Sequence, residues 1–350
     1  MRDGKLGYGI VGCGVIGPWH AESVAHCSDA ELVAVCDIDE EKGRAFAEKY
    51  GNVAFHREYK ELLAREDVDV ISVCTPSGAH AEVMIAAAEA GVHVLCEKPI
   101  EIQLDRVQAM IRAAKEHHVK LGCIFQRRTY EVSKKVREAV MRGDLGKMVL
   151  ADAYLKYYRS QEYYNSAGWR GTWALDGGGA LMNQGVHGVD LLMWLMGDDP
   201  IVSVTAKADH LVRDIEVEDT SVALITFESG AYGVIEGTTS VNPGEETKIT
   251  LHGKLGTIIL DEGKIGRWAT TTGEDDRAQE QEIEVAEEKG GGTGDPKAIS
   301  ISGHIALVND MVQAIKEDRE PMVTPESARK SVALILAIYE SARTGKEVRL

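Results

Sequence analysis

Between residues 6 and 126, short and nearly continuous apolar runs alternate with stretches of helical periodicity. The runs at 6–11, 32–36, 70–74, 92–96 and 121–125 are rich in β-branched residues, as strands buried on both faces are. The segments between them carry apolar residues at helical spacing over 40–50, 81–90 and 104–117, and the first two end at Gly51 and Gly91. Strand and helix in strict alternation predict βαβ units and a doubly wound parallel sheet.

After one more helix at 131–141 the texture changes. Longer alternating segments at 148–158, 202–212, 221–227, 231–239, 248–252 and 257–260 predict an antiparallel open sheet with one covered face. Ser229-Gly230 is a short hairpin signal and Asn242-Pro243-Gly244 a second turn, which together favour a sequential meander. Residues 272–296 are acidic, then glycine-rich, and read as a surface excursion with at most one strand near Ile283. Two amphipathic helices, 304–316 and 325–343, finish the chain and are expected to pack at the domain junction.

Bulk properties narrow the partners. At 350 residues, with 44% hydrophobic and 27% charged content, the chain fits two globular domains. The formal charge of -17, without a long Lys/Arg run, argues against nucleic acid and acidic membranes as partners. A local pair such as Arg159 and Arg170 still leaves room for an anionic small molecule. The six cysteines (Cys13, Cys27, Cys36, Cys74, Cys96, Cys123) show no CxxC spacing and read as core thiols. With no apolar leader or membrane-length stretch, a reducing cytoplasm is the expected location.

Gly12-Cys13-Gly14-Val15-Ile16-Gly17 follows the first strand and opens a helix, the context that makes G-x-G-x-x-G a dinucleotide loop. Gly12 permits the tight turn, Gly14 the approach of a pyrophosphate, and Gly17 close helix–strand packing, with the amides of the loop and helix start facing the phosphates. Asp37 ends the second strand twenty residues past Gly17, where a carboxylate accepts hydrogen bonds from ribose hydroxyls and repels a 2′-phosphate. No Arg or Lys stands within Asp37-Ile38-Asp39-Glu40-Glu41, so NAD is favoured over NADP. A plain helix-capping Asp would account for Asp37 but not for its coincidence with the glycine spacing. The fold class is α/β, an N-terminal Rossmann domain over residues 1–126 followed by an α+β domain over 127–350.

Gly91-Val92-His93-Val94-Leu95-Cys96-Glu97-Lys98-Pro99 closes the fourth of these runs, and Thr75-Pro76-Ser77-Gly78-Ala79-His80 follows the third. Together with Gly177-Gly178-Gly179-Ala180-Leu181-Met182-Asn183-Gln184-Gly185-Val186-His187-Gly188-Val189-Asp190, the chain resembles the glucose–fructose oxidoreductase/inositol dehydrogenase/rhizopine catabolism (Gfo/Idh/MocA) family. The resemblance implies that Lys98 lies beside nicotinamide and substrate, that Glu97 contacts the nicotinamide-ribose side, and that Thr75, Pro76, His80 and Gln126 line the cofactor. It also implies His187 as acid/base.

Asn183, His187 and Asp190 recur at i, i+4 and i+7 on an otherwise apolar helix, which places them on one face. Many relatives carry Asp where Asn183 stands, so Asp190 is the alternative support for His187, and Asn183 is kept as a catalytic candidate beside Lys98 and His187, able to hydrogen-bond a substrate hydroxyl. Arg128, Arg159, Trp169 and Arg170 are the further substrate candidates, whereas Tyr154 and Tyr157 equally suit the sheet. The expected reaction is hydride exchange between NAD and a secondary alcohol of a cyclic polyol or sugar. A nucleotide-sugar uronate is the alternative substrate; an NAD-retaining glycosidase and a non-catalytic dinucleotide-binding regulator are the alternative classes. No metal-ligand motif occurs, and a homodimer or homotetramer paired through the second sheet is expected.

Overall fold

The computed structural model describes residues 4–271, 277–285 and 300–350. They form two compact units, one running up to Gln126 and including Ile301–Arg329, the other comprising Arg127–Ser300 and Lys330–Leu350.

The first unit runs β1 (Leu6–Val11), α1 (Gly17–Ala25), β2 (Ala30–Cys36), α2 (Glu40–Lys49), β3 (Ala54–His56), α3 (Tyr59–Leu63), β4 (Val70–Val73), α4 (His80–Glu89), β5 (His93–Cys96), α5 (Leu104–Glu116) and β6 (Leu121–Cys123). Its six parallel strands take the order β3-β2-β1-β4-β5-β6, the doubly wound arrangement. β1 and β4 are buried along their whole length, which is why their sequences are nearly all apolar, the exceptions being Ser72 and the Tyr8 hydroxyl, which hydrogen-bond to each other. The edge strand β3 and the five-residue α3 escape pattern reading because both are too short to show a period. All six cysteines are free and buried, and burial pushes the Cys13 and Cys36 thiols up to about 12.

The chain continues through a 3-10 turn at Gln126–Thr129, α6 (Glu131–Arg142), β7 (Met148–Lys156), α7 (Gln161–Asn165), a π-helical turn at Ala180–Gly185 and α8 (Val186–Leu195). Then come β8 (Ile201–Asp209), β9 (Thr220–Phe227), β10 (Tyr232–Thr238), β11 (Lys248–Gly253), β12 (Gly256–Asp261), β13 (Lys264–Thr270), β14 (Gln279–Glu280), α9 (Ser302–Lys316), α10 (Pro325–Thr344) and β15 (Val348–Arg349).

The second sheet has the order β14-β13-β12-β11-β7-β10-β9-β8-β15 and is antiparallel except where β7 runs beside β10. The expected single meander is therefore split, with β7 inserted between two sequential runs. Ala151, Asp152 and Ala153 of β7 are all buried, a composition suited to the centre of a sheet rather than its rim. Ser229 and Gly230 do form the β9–β10 hairpin. α8 lies directly on β7: a Cβ at Gly188 would stand 2.2 Å from the Leu155 side chain. The strand expected near Ile283 falls instead at Gln279–Glu280, paired with β13; residues 272–276 and 286–296 of that excursion lie outside the described residues.

The tail corrects the expected domain boundary. Residues 301–329 belong to the first unit, because the apolar face of α9, with Leu307, Val308 and Met311 buried, packs against α1 and β5. Sequence adjacency placed them in the second domain, but an amphipathic helix joins whichever surface buries its stripe.

Candidate active site

The glycine loop has the shape a dinucleotide requires. Gly12 has φ of 102°, and a Cβ there would lie 2.5 Å from the Cys74 carbonyl oxygen, so only glycine fits this turn between β1 and β4. At Gly14 the nearest atom to a Cβ is Lys42 Nζ at 3.9 Å, which leaves one side of the loop open to a diphosphate. At Gly17 a Cβ would meet the Gly12 carbonyl oxygen at 3.0 Å, so α1 begins tight against the turn. Val15 is half exposed at the loop apex, Ile16 caps α1, and Pro18 fits the first helical turn where no backbone donor is needed.

Asp37 is built into this loop rather than merely near it. Its Oδ2 accepts the Cys13 N–H at 2.8 Å and its Oδ1 the Asp39 N–H at 2.9 Å. Lys42 Nζ stands 3.1 Å from the same carboxylate. Lys42 lies one residue beyond the Asp37–Glu41 segment that carries no basic residue, and one turn of α2 brings it back over Asp37.

At the carboxyl ends of β4 and β5, Thr75 Oγ1 is buried without a hydrogen-bond partner among the described residues, a polar atom placed to receive one from a ligand. Pro76 precedes the short turn Ser77–Ala79. His80 is 1% exposed, with Nδ1 2.9 Å from the Pro99 carbonyl oxygen and Nε2 3.0 Å from that of Thr75. Both ring nitrogens thus face backbone carbonyls, one in the Thr75 loop and one in the Glu-Lys-Pro turn; burial holds the imidazole below its ordinary pKa, and the neutral ring donates its single N–H to one of the two. Lys98 is half-buried just beyond β5, its backbone N–H 3.1 Å from Glu97 Oε2, and the Lys98-Pro99 peptide is cis. Gln126 is buried, and the backbone of Gly303 lies against its side chain.

In the second unit the polar row read from sequence is divided by the π-helical turn, which carries Asn183, while His187 sits half-buried on the first turn of α8. Asn183 Nδ2 donates to Asp176 Oδ1, and Asn183 Oδ1 accepts from Gln184 Nε2 at 2.9 Å. Both Asp190 oxygens are held by the Arg128 guanidinium, Oδ2 at 2.8 Å from Nε and Oδ1 at 2.5 Å from Nη2. Arg128 is 5% exposed and Asp190 2%. Both Asp190 oxygens are thus committed to Arg128 of the 126–129 turn rather than to His187, and the pair ties that turn to α8.

The remaining candidates do assemble. Arg159 Nε donates to Gln184 Oε1 at 2.9 Å, and Gln184 Nε2 donates to Tyr163 Oη at 2.8 Å. Arg170 Nη1 donates to the same Tyr163 oxygen, its guanidinium lying 4.3 Å from the Tyr163 ring centre and 4.6 Å from that of Trp169. Arg170 Nε is buried with no hydrogen-bond partner, and Arg170 makes no ion pair, among the described residues. Glu218 anchors the glycine run: its oxygens accept the Gly179 and Leu181 N–H groups and the Tyr339 hydroxyl, at 3.0, 2.8 and 2.8 Å. Burial raises its carboxyl to about 7 against the pull of these donors. Asp176, Gln184, Glu218 and Lys42 went unread because each acts through a partner distant in sequence or on another turn. Only the polar Asn183-Gln184 pair inside an apolar stretch offered a hint.

A glycine loop at β1, an acid after β2 and a lysine after β5 define a nicotinamide-dinucleotide oxidoreductase on a Rossmann sheet. Residues 6–125 match the family model described as the oxidoreductase family, NAD-binding Rossmann fold, and residues 133–259 match the Gfo/Idh/MocA C-terminal domain. The chain belongs to the Gfo/Idh/MocA oxidoreductase family. It is 28% identical to myo-inositol 2-dehydrogenase of Thermotoga maritima over 98% of each chain. It is also 28% identical to D-glucoside 3-dehydrogenase of Escherichia coli, over 100% of this chain and 99% of that one. Among solved structures, the WlbA dehydrogenase from Bordetella pertussis, in complex with NADH and UDP-GlcNAcA, is 33% identical over 99% of each chain with a TM-score of 0.86. The protein is an NAD-dependent oxidoreductase acting on CH–OH groups.

Proposed function

We propose that this enzyme oxidises a ring secondary alcohol of a sugar or cyclic polyol to the ketone. NAD supplies the two-electron acceptor when bound. Lys98 and His187 handle the hydroxyl proton, with His187 as base and the Lys98 cation stabilising charge that develops on the substrate oxygen. The observation that carries this reading is the placement of Lys98 directly after β5, at the carboxyl edge of the sheet where a dinucleotide lies, one strand over from the Thr75 hydroxyl, which is buried with no hydrogen-bond partner among the described residues.

A finer reading is favoured by Arg170. A guanidinium stacked between Tyr163 and Trp169, with a buried Nε and no ion pair among the described residues, suits a substrate bearing an acidic group. The 33% identity to an enzyme crystallised with UDP-GlcNAcA supports a nucleotide-sugar uronate as the substrate. The test is a panel of cyclitols, aldoses, glycosides and nucleotide-sugar uronates assayed for stoichiometric NADH formation. A uronate as best substrate supports the finer reading, and a neutral cyclitol overturns it while leaving the general one. Product formation without net NADH points to an NAD-retaining glycosidase, and no turnover on any member points to a regulator.

The protein is further proposed to pair with a second copy through the outer face of the second sheet. Leu150, Val222, Leu224 and Tyr232 stand exposed there on three adjacent strands, with Tyr232 opposite Leu150 across the β7–β10 ladder. No helix among the described residues is long and apolar enough to cross a membrane, and the free buried thiols suit the reducing cytoplasm proposed as its location.

A further inference from the structure

Beneath the carboxyl end of β5 a file of buried polar side chains converges on Glu97. Tyr8 Oη on β1 lies 2.8 Å from Ser72 Oγ on β4, and Ser72 Oγ lies 2.7 Å from His20 Nδ1 on α1. His20 Nε2 is 2.9 Å from Glu97 Oε1, and His304 Nε2 of α9 is 3.4 Å from the same oxygen. Tyr8, Ser72 and His20 are 0% exposed, His304 1% and Glu97 6%.

Hydrogen-bond bookkeeping gives the file a direction. Among the described residues the Tyr8 hydroxyl has Ser72 as its one acceptor, so it donates to Ser72, Ser72 donates to His20 Nδ1, and the remaining ring proton on Nε2 points at Glu97. The opposite polarity would leave a buried phenol hydrogen with no acceptor among the described residues. Burial pushes His20 below its ordinary pKa, in keeping with a neutral ring. Burial also works against the Glu97 carboxylate, yet the hydrogen bonds from His20 and His304 outweigh it and hold the group well below the usual range. The file ends on Tyr8, which no solvent reaches, so it is a clamp and not a proton path.

The clamp's place in the sheet gives it a task. Asp37 after β2 marks the adenosine end of the dinucleotide, and the loop after β1 marks its diphosphate. Crossing the switch point from β1 to β4 carries the nicotinamide half toward β4 and β5, where Glu97 stands. The oxidised nicotinamide ring carries a positive charge and the reduced ring does not. We propose that His20, Ser72 and His304 are positioning residues that hold Glu97 as a fixed negative charge favouring NAD⁺ over NADH. This inference rests on occupancy of the Rossmann site by NAD.

The test is the ratio of dissociation constants for NAD⁺ and NADH, measured by calorimetry on the full chain at one pH and salt concentration. Disturbed packing weakens both forms alike, whereas loss of the charge moves the ratio. Glu97→Gln is expected to shift the ratio about tenfold toward NADH. His20→Leu should move it the same way, and His20→Gln, whose amide N–H replaces Nε2–H, should restore it. If His20→Leu does not fold, Glu97→Gln and His20→Gln carry the test. An unchanged ratio in Glu97→Gln overturns the inference. So does a stoichiometric metal ion retained by the purified protein and lost in His304→Ala, since the ligand atoms of His20, Glu97 and His304 lie within 4.8 Å of one another. Failure of the parent protein to bind either form would instead remove the cofactor reading itself.

Discussion

Asp37 shows how one side chain serves two functions: its Oδ2 fixes the Cys13 amide of the glycine loop while the carboxylate as a whole faces Lys42. Asp37→Ala should weaken NADH binding by about tenfold through loss of these charge-assisted bonds. It should also leave Lys42 without its counter-ion, so NADPH binding should weaken less or improve. Parallel titrations with the two cofactors check this, and an undiminished preference for NADH would remove Asp37 from cofactor choice. Asn183 is accounted for by Asp176, since a carboxylate at 183 would be pressed against a second one. For the chemical step, Lys98→Met should lower turnover by roughly two orders of magnitude or more, and His187→Ala by ~10²–10⁴. If both serve one substrate oxygen, the double variant should lose little more than the worse single variant, because residues acting as a unit are not additive. Fully multiplicative losses would separate their roles, and near-native turnover of His187→Ala would make the histidine structural.

Among the elements, α8 and the π-helical turn before it are held by two buried devices. Arg128 and Asp190 form a bidentate pair at the base of α8, and breaking it with Arg128→Leu should destabilise the fold by about 3–5 kcal/mol by stranding a buried carboxylate. Chemical denaturation measures this; a change in Michaelis constant without a change in stability would return Arg128 to the substrate. Glu218 holds the start of the turn and carries a pH signature. Its folded carboxyl titrates near 7 against 4.5 for the ordinary group, so between those values the folded chain keeps a proton that the unfolded chain has released. Folded stability therefore falls as pH rises through that window, by up to about 3 kcal/mol from this group. In Glu218→Gln the melting temperature relative to the parent should rise steadily from pH 5 to pH 8, on top of a constant penalty for an amide facing backbone donors. A flat difference would show that Glu218 does not titrate in this range. Pattern reading located the helix but not its π-helical opening, because an extra residue in one turn leaves the apolar periodicity almost intact.

For the molecule as a whole, the outer face of the second sheet is the feature that a single chain does not explain. Leu150, Val222, Leu224 and Tyr232 form an apolar stripe on strands whose opposite side chains are buried beneath α8 and α10. Sedimentation at micromolar concentration should give a mass at least twice the 38.1 kDa of one chain. Leu224→Lys with Tyr232→Lys should bring it back to one chain without unfolding. A parent protein that already sediments at 38.1 kDa would refute the pairing.

The sequence by itself determined the parallel sheet, the glycine loop with Asp37, the Glu97-Lys98-Pro99 turn and the change to an antiparallel domain. These are local signals, in which strand burial, backbone strain or charge is written within a few consecutive residues. Tertiary structure alone decided that β7 lies at the centre of its sheet and that α9 joins the first unit. It also decided that Asp190 is committed to Arg128, and that His20 and His304 meet at Glu97 from positions 77 and 207 residues away in the chain. The physical reason is that a pattern records how deeply a residue is buried, while the identity of its partner depends on which elements bury it. For charged and hydrogen-bonding side chains, that partner decides whether they bind, position or merely pack.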